Sequence, residues 1–381
     1  MKYVTLNKDN KILVNVEMEY FLNPDYVYLP INDKKILVKQ NSNVLKNEVV
    51  VDGKNKILSS VSGKAIGLKD VIIDKKHVKT IVVENNFKEE SVEISRKKSS
   101  KIDVLNIIKV LEKMEMNDLL ETFKSLVKVD NIVISSVEDE PYVKNNIMLL
   151  KENINEILEM ITELNLLYKS KKNTIVVKSN ESMIIDECLN VIGSFPNICI
   201  TLINDEYLLG RKEYLLDYLK LKENNTLYLT VKDLYKLYNI IKNNRISTTC
   251  LITISGDAIE TGKVIKAKKY CSLKEIVDKY IKVNSENVVY IINGLMSGFI
   301  SNINDTILSD DVTTLMIMKR NDVVEEKCIN CGMCVSVCPL KIDTLKCMKK
   351  GIKNESCINC GLCNYVCPSF IDIKKHVKEE L

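Results

Sequence analysis

Two stretches near the C-terminus decide the reading. They are Cys328-Ile-Asn-Cys331-Gly-Met-Cys334-Val-Ser-Val-Cys338-Pro339 and Cys357-Ile-Asn-Cys360-Gly-Leu-Cys363-Asn-Tyr-Val-Cys367-Pro368. Both read C-x2-C-x2-C-x3-C-P, the bacterial iron–sulfur spacing in which the fourth cysteine ligates the other cluster. Two intervening residues let three thiolates wrap one corner of a cubane, and the proline then turns the chain away. The spacing therefore predicts that Cys328, Cys331, Cys334 and Cys367 hold one [4Fe–4S] cluster. Cys357, Cys360, Cys363 and Cys338 are predicted to hold a second. Gly332 and Gly361 let the backbone pass close to each cluster. A structural zinc usually takes two C-x2-C pairs, which the tripled spacing does not suit. Cys347 falls between the runs and reads as a core thiol. Cys188, Cys199, Cys250 and Cys271 lie in apolar segments and read as small buried hydrophobes.

Outward from these runs, composition narrows the class. The chain has 381 residues, 46% hydrophobic and 28% charged, with 55 basic against 51 acidic side chains. That is a globular composition of about two to four domains. The near-balance of charge leaves no footprint for nucleic acid. Only His77 and His376 are present, so a histidine-based triad or zinc site is set aside. No apolar run is long enough to span a membrane, and the first residues lack the apolar segment of a signal peptide. The expected location is cytoplasmic, either free or peripheral on the inner face of the cell membrane. Reduced thiols there read as metal or redox ligands.

Residues 1–98 read as short strands, among them Val27–Ile31, Lys35–Val38, Glu48–Val51 and Val71–Ile73. Asp52-Gly53 and Ser62-Gly63 read as turns, and Lys64 as a solvated turn lysine. The polar stretch 88–101 reads as a linker. From 99 to 246 helices and strands alternate, as in a parallel α/β sheet whose ligand loops follow the strands. Asp103–Val129 has helical spacing, and Asn145–Lys169 reads as one long helix. Residues 247–320 read as a compact α+β unit with a short helix capped by Ser272. Residues 321–381 form the cysteine-bearing tail.

This order resembles the C subunit of the Rnf electron-transport complex and its relatives, including the electron-transfer protein associated with proline reductase. Val27-Tyr-Leu-Pro-Ile31 and Leu58-Ser-Ser-Val-Ser-Gly-Lys64 look like the family's N-terminal barrel-sandwich segments. Glu138-Asp-Glu-Pro-Tyr142 looks like its E-x-E-P-Y motif. Thr253-Ile-Ser-Gly256 and Gly294-Leu-Met-Ser-Gly298 look like its soluble-ligand-binding β-grasp domain. The resemblance implies a multidomain α/β protein: a barrel-sandwich domain (1–98), a Rossmann-like domain (99–246), a β-grasp domain (247–320) and a ferredoxin-like dicluster domain (321–381).

The family is related to the flavin-and-NADH subunit of respiratory complex I. Its α/β domain usually carries a glycine-rich loop before the E-x-E-P-Y strand. This chain has no glycine between Gly67 and Gly193, and the helical run Ile107–Glu121 stands in the loop's place. Side chains there would occupy the ligand's volume. The reading therefore argues against FMN and NADH. Glu138 and Glu140 are the cofactor-binding candidates that survive, with capping of the next helix as the alternative. Gly210, in Leu209-Gly-Arg-Lys-Glu213, reads as a remnant of a family motif.

The function expected is electron transfer through two [4Fe–4S] clusters, between a reduced donor and a partner redox protein. Membrane-complex subunits are among the partners to be considered. The clusters carry the chemistry, so no general acid or base is assigned. Two alternatives stay open: a flavin-dependent NADH-oxidising subunit, and an assembly scaffold with structural clusters.

Overall fold

The computed structural model describes residues 4–6, 12, 14–31, 35–53, 56–92, 103–113, 116–126, 128–320 and 324–378. Among them no helix is long and apolar enough to cross a membrane.

The N-terminal β unit holds an antiparallel sheet in the order Tyr26–Pro30, Lys76–Asn85, Gly63–Ile73, Asn43–Val44. A second sheet joins Lys35–Ile36, Val49–Asp52 and Ile57–Leu58. Val27, Leu29, Val44, Val50, Val51, Val61 and Val83 form the core between them. Ser62-Gly63 is not the expected turn, because Gly63 opens a long strand. A Cβ on Gly63 would lie 1.8 Å from the Glu84 carbonyl oxygen, so a bare backbone is what permits the pairing. Lys64 is accordingly exposed on a strand. Of the linker expected at 88–101, residues 93–101 lie outside the described residues.

The α/β unit carries four parallel strands in the order Ile198–Ile203, Lys172–Lys178, Asn131–Ser135, Thr226–Thr230. Apolar side chains on both faces explain the helical cover on both sides. Ile132, Ile134, Ile175 and Val177 face the larger core, while Val133 and Val176 face the smaller one with Leu215 and Leu216. The helix expected over Asn145–Lys169 breaks into Asn145–Glu152 and Ile154–Tyr168. Asn153 causes the break: its side-chain amide donates to the Leu149 carbonyl at 3.0 Å, competing with the helix backbone. The run expected over Asp103–Val129 likewise divides into Val104–Lys113 and Asn117–Ser125.

A six-stranded mixed sheet follows, in the order Val14–Phe21, Gly262–Lys268, Thr249–Ser255, Thr314–Lys319, Val288–Ile292, Phe299–Ile300. Its first strand comes from residues 1–98, which read as one β domain. Val14–Phe21 pairs in parallel with Gly262–Lys268 and leaves the N-terminal β sheets altogether. Phe21 anchors it, edge-on to Tyr280 with ring centroids 6.0 Å apart, inside the core of the larger sheet. Ser272 stands at the N-cap of the helix Leu273–Tyr280, but its side chain makes no capping hydrogen bond. The tail packs four short helices, Met333–Val337, Thr344–Lys350, Leu362–Tyr365 and Lys374–Val377.

These backbone constraints predict opposite outcomes at two glycines. Gly63→Ala forces a Cβ into backbone and should cost about 1–3 kcal/mol of stability. Gly193 caps a helix at φ −57 with nothing within 4 Å of its would-be Cβ. Gly193→Ala should be neutral or stabilise by about 0.4–1 kcal/mol through the unfolded chain. Anaerobic urea unfolding followed by circular dichroism checks both; equal midpoints for the two variants would contradict this packing.

Candidate metal centre and the adjoining cavity

The two cysteine runs fold into matching backbone paths. Asn330 and Asn359 take φ 58 and 53, Gly332 and Gly361 both take φ 76, and Lys341 and Phe370 take φ 56 and 54. Each glycine is the N-cap of the short helix that carries the third cysteine of its run. Glycine takes this left-handed conformation without the cost that a Cβ adds, which accounts for the C-G step in both runs.

One small cavity is lined by Cys328, Cys331, Cys334 and Cys367, with Met333, Leu345, Met348 and Ile371 around them. A second is lined by Cys338, Cys357, Cys360 and Cys363, with Leu340, Ile342, Leu362 and Val377. Each set draws three thiols from one run and the fourth from the other. Among the described residues no three His, Cys, Asp or Glu side chains are placed to hold a single metal ion. A cubane does not ask for that, because each thiolate takes a different iron around a common body. Soft thiol ligands in an apolar wall suit such a cluster. Burial pushes the Cys363 thiol up to about 12 and raises Cys360 as well, so a bound cation would have to recover the thiolate form. Cys347 is buried and lines neither cavity. Cys188, Cys250 and Cys271 are buried, but Cys199 is exposed, on a strand at the edge of the parallel sheet. An edge strand leaves part of its surface uncovered, which its apolar sequence does not reveal.

The two cavities differ in their surroundings. Around the first, Ile329, Met333 and Phe370 are exposed. The second is pressed into the body of the protein. Tyr207 donates to the Cys360 carbonyl at 2.7 Å, and Arg211 Nη1 donates to the Ile358 carbonyl at 3.0 Å. Lys374 Nζ donates to the Met296 carbonyl at 2.9 Å. A Cβ on Gly361 would lie 2.1 Å from that same carbonyl oxygen.

Glu140 holds the other side of this junction. Its carboxylate accepts from Met296 N–H at 2.9 Å, from Ser297 N–H at 3.0 Å and from the Ser297 hydroxyl. Gly294 lies against the Glu140 side chain, with no room for a Cβ between them. Glu140 therefore fastens a loop of the six-stranded sheet unit instead of capping the next helix. Glu138 does act at that helix: its carboxylate accepts from Asn146 N–H. Burial pushes the Glu138 carboxyl up to about 7, against the pull of this hydrogen bond. Gly210 is more than a remnant. A Cβ there would meet the Glu138 carbonyl at 2.4 Å, so the 204–211 loop could not otherwise lie against the motif.

Beyond the C-terminal ends of the parallel strands opens a cavity of about 800 Å³. Glu138, Tyr228, Lys232, Lys236 and Asp310 line it, and Leu340 and Ile358 of the tail close one side. None of the described residues between 107 and 121 lines it, which corrects the expectation that this run fills a ligand's volume. Ile107, Leu111, Leu119 and Leu120 are instead buried in the larger α/β core. Three backbone donors of residues that line the cavity already have partners within the chain. Asn146 N–H is taken by Glu138, Lys232 N–H by Asn146 Oδ1 at 3.1 Å, and Asp233 N–H by Thr230 Oγ1 at 3.1 Å. Lys232, Lys236 and Lys269 gather on Asp310, with Lys269 Nζ 2.6 Å away, and hold that carboxyl well below the usual range despite its burial.

Residues 327–371 match the family described as the 4Fe-4S dicluster domain. Over 242 residues the chain is 23% identical to the C subunit of the Na(+)-translocating ferredoxin:NAD(+) oxidoreductase complex of Acetobacterium woodii, covering 60% of this chain and 54% of that one. It is 24% identical over 374 residues to the C subunit of the proton-translocating ferredoxin:NAD(+) oxidoreductase complex of Clostridium ljungdahlii, covering 87% and 80%. The chain thus spans about half the length of the first relative and most of the second. Among solved structures, a chain of an NAD+-reducing [NiFe]-hydrogenase in the H2-reduced state aligns with TM-score 0.49 at 12% identity, over 73% of this chain and 64% of that one. The protein is an α/β chain with an iron–sulfur domain of the dicluster type, similar over most of its length to the C subunits of ion-translocating ferredoxin:NAD(+) oxidoreductase complexes.

Proposed function

We propose that this protein is an electron-transfer subunit with two [4Fe–4S] clusters, working beside partner redox proteins in a complex of the kind its relatives' names describe. The observation that carries the reading is the grouping of eight cysteines around two cavities, four to each. When bound, the clusters supply one-electron transfer. The chain supplies thiolates, apolar walls and the contacts that fix each cluster's surroundings. In this reading Cys328, Cys331, Cys334 and Cys367 hold the outer cluster, and Cys338, Cys357, Cys360 and Cys363 the inner one. The division into barrel-sandwich, Rossmann-like, β-grasp and dicluster domains belongs to the same proposal, with Val14–Phe21 lent to the third.

The cavity of about 800 Å³ next to Ile358 favours a second reading, in which a flavin occupies it and passes electrons to the inner cluster. Against that stands the state of three of its backbone donors, already paired within the chain. A phosphate needs several free N–H groups converging on it. Here Glu138 already takes the anion position at the helix Asn145–Glu152, and Asp310 already draws in the lysines. The first reading therefore leaves flavin and nicotinamide out.

Anaerobically prepared protein is expected to contain about eight iron atoms per chain, two full four-iron sets. Cys347→Ser should leave that content unchanged, whereas Cys334→Ala should remove about half or more. Stoichiometric zinc without iron would overturn the assignment, and loss of a cluster in Cys347→Ser would overturn the ligand sets.

A separate reconstitution addresses the cavity. Incubation with FMN followed by an NADH:dye reductase assay should give neither stoichiometric flavin nor turnover. Tight flavin with robust turnover would replace the first reading by the second.

A further inference from the structure

The inner and outer cluster sites differ in charge as well as in burial. Among the described residues, the first cavity is lined by apolar and small polar side chains around its cysteines and by no charged one. The second is lined by Lys374, and Arg211 lies against the same cysteine loop. Arg211 comes from the loop before the helix Lys212–Tyr218, and Lys374 begins the last short helix. Their cationic heads are held by two carbonyls, Ile358 at 3.0 Å and Met296 at 2.9 Å. Ile358 lies between ligands Cys357 and Cys360, and the Met296 carbonyl rests on Gly361, next to Cys360. Neither contact spends the charge on a carboxylate, and Arg211 Nε finds no partner among the described residues.

Negative groups are close, and they bear on the balance. Glu140 lies across the Met296–Ser297 loop, but three donors already share its carboxylate. Asp139 is near enough to Arg211 for each to feel the other.

Reduction adds one negative charge to a cluster. Burial in a low dielectric makes that addition harder, and a nearby unspent cation makes it easier. Burial alone would make the inner cluster the harder of the two to reduce. Resting on the two-cluster reading above, we propose that Arg211 and Lys374 are electrostatic positioning residues that selectively raise the reduction potential of the inner cluster, offsetting its burial. Tyr207, which donates to the Cys360 carbonyl, anchors the same loop without adding charge.

The test is an anaerobic redox titration followed by electron paramagnetic resonance, with iron analysis on every sample. Arg211→Gln and Lys374→Gln should each shift the same one of the two couples downward. The expected shift is a tenfold or larger fall in the equilibrium constant for reduction, about 59 mV for one electron. The other couple should not move. Arg211→Lys and Lys374→Arg, which keep the charge, should restore the couple to within about threefold of the parent by the same conversion. Full iron with both couples unmoved in the two Gln variants would overturn the proposal. So would both couples falling together, since that marks a general loosening of the domain. If one Gln variant fails to hold iron, the other and its charge-keeping partner decide by the same criteria. Absence of iron from the parent protein would overturn the two-cluster reading itself, a failure distinct from unmoved couples in an iron-loaded chain.

Discussion

The Met296 carbonyl and its neighbouring N–H groups carry the junction on which the rest of the structure depends. One side of this short loop is gripped by the Glu140 carboxylate, from the α/β unit. The other side receives Lys374 and rests against Gly361, both from the cysteine-bearing tail. Three separate stretches of chain thus meet within one turn of backbone. Gly294, Gly298 and Gly361 make the meeting possible, since a Cβ at any of them would fall within about 2.3 Å of another group. A buried carboxylate is costly unless its oxygens are hydrogen-bonded, and Glu140 meets that condition with three donors. Removing it would leave two backbone N–H groups without their partner at the point where the units join.

The same economy shapes the open cavity. The E-x-E-P-Y stretch points its two glutamates in different directions, and each is used structurally. Glu138 takes a helix N-terminus that would otherwise attract an anion. Glu140 takes the loop. Thr253 and Asn145 add a second tie between the parallel sheet unit and the six-stranded sheet, with Thr253 Oγ1 donating to Asn145 Oδ1 at 2.8 Å. What remains is a space bounded in part by side chains that already have partners, next to a loop that carries two of the nine tail cysteines. Its position follows from the parallel sheet, since the loops after the strands gather at one end.

The inner and outer sites are therefore distinct in kind although their sequences nearly repeat. Matching φ angles at Asn330 and Asn359, and at Gly332 and Gly361, give both runs one local geometry. Their environments then diverge. Ile329 is exposed, whereas its counterpart Ile358 is partly buried and faces the α/β unit. A repeat determines the local path of the chain, and the body it docks on determines solvent, charge and access.

Much of the organisation was legible from residues alone. The cysteine spacing pointed to a dicluster tail because ligand reach is a local property of a few residues. The alternation of apolar runs between 131 and 230 pointed to a parallel sheet, because strands buried on both faces must be apolar throughout. Other features had no local signal. Val14–Phe21 reads like any amphipathic strand, and its partner Gly262–Lys268 lies far along the chain. The break at Asn153 depends on one side chain bonding one carbonyl, inside a pattern that is otherwise helical. Ile107, Leu111, Leu119 and Leu120 were legible as helical positions, but not their burial in the larger α/β core, away from the cavity. By itself the sequence determined most element types, the thiol pattern and the absence of glycine between Gly67 and Gly193, since these are read from residue order and spacing. Only the tertiary structure decided which carboxylate fastens which loop, and which cysteine run lies beneath Arg211 and Lys374. Those pairings join residues distant along the chain, and no periodicity in the sequence records where two surfaces will meet.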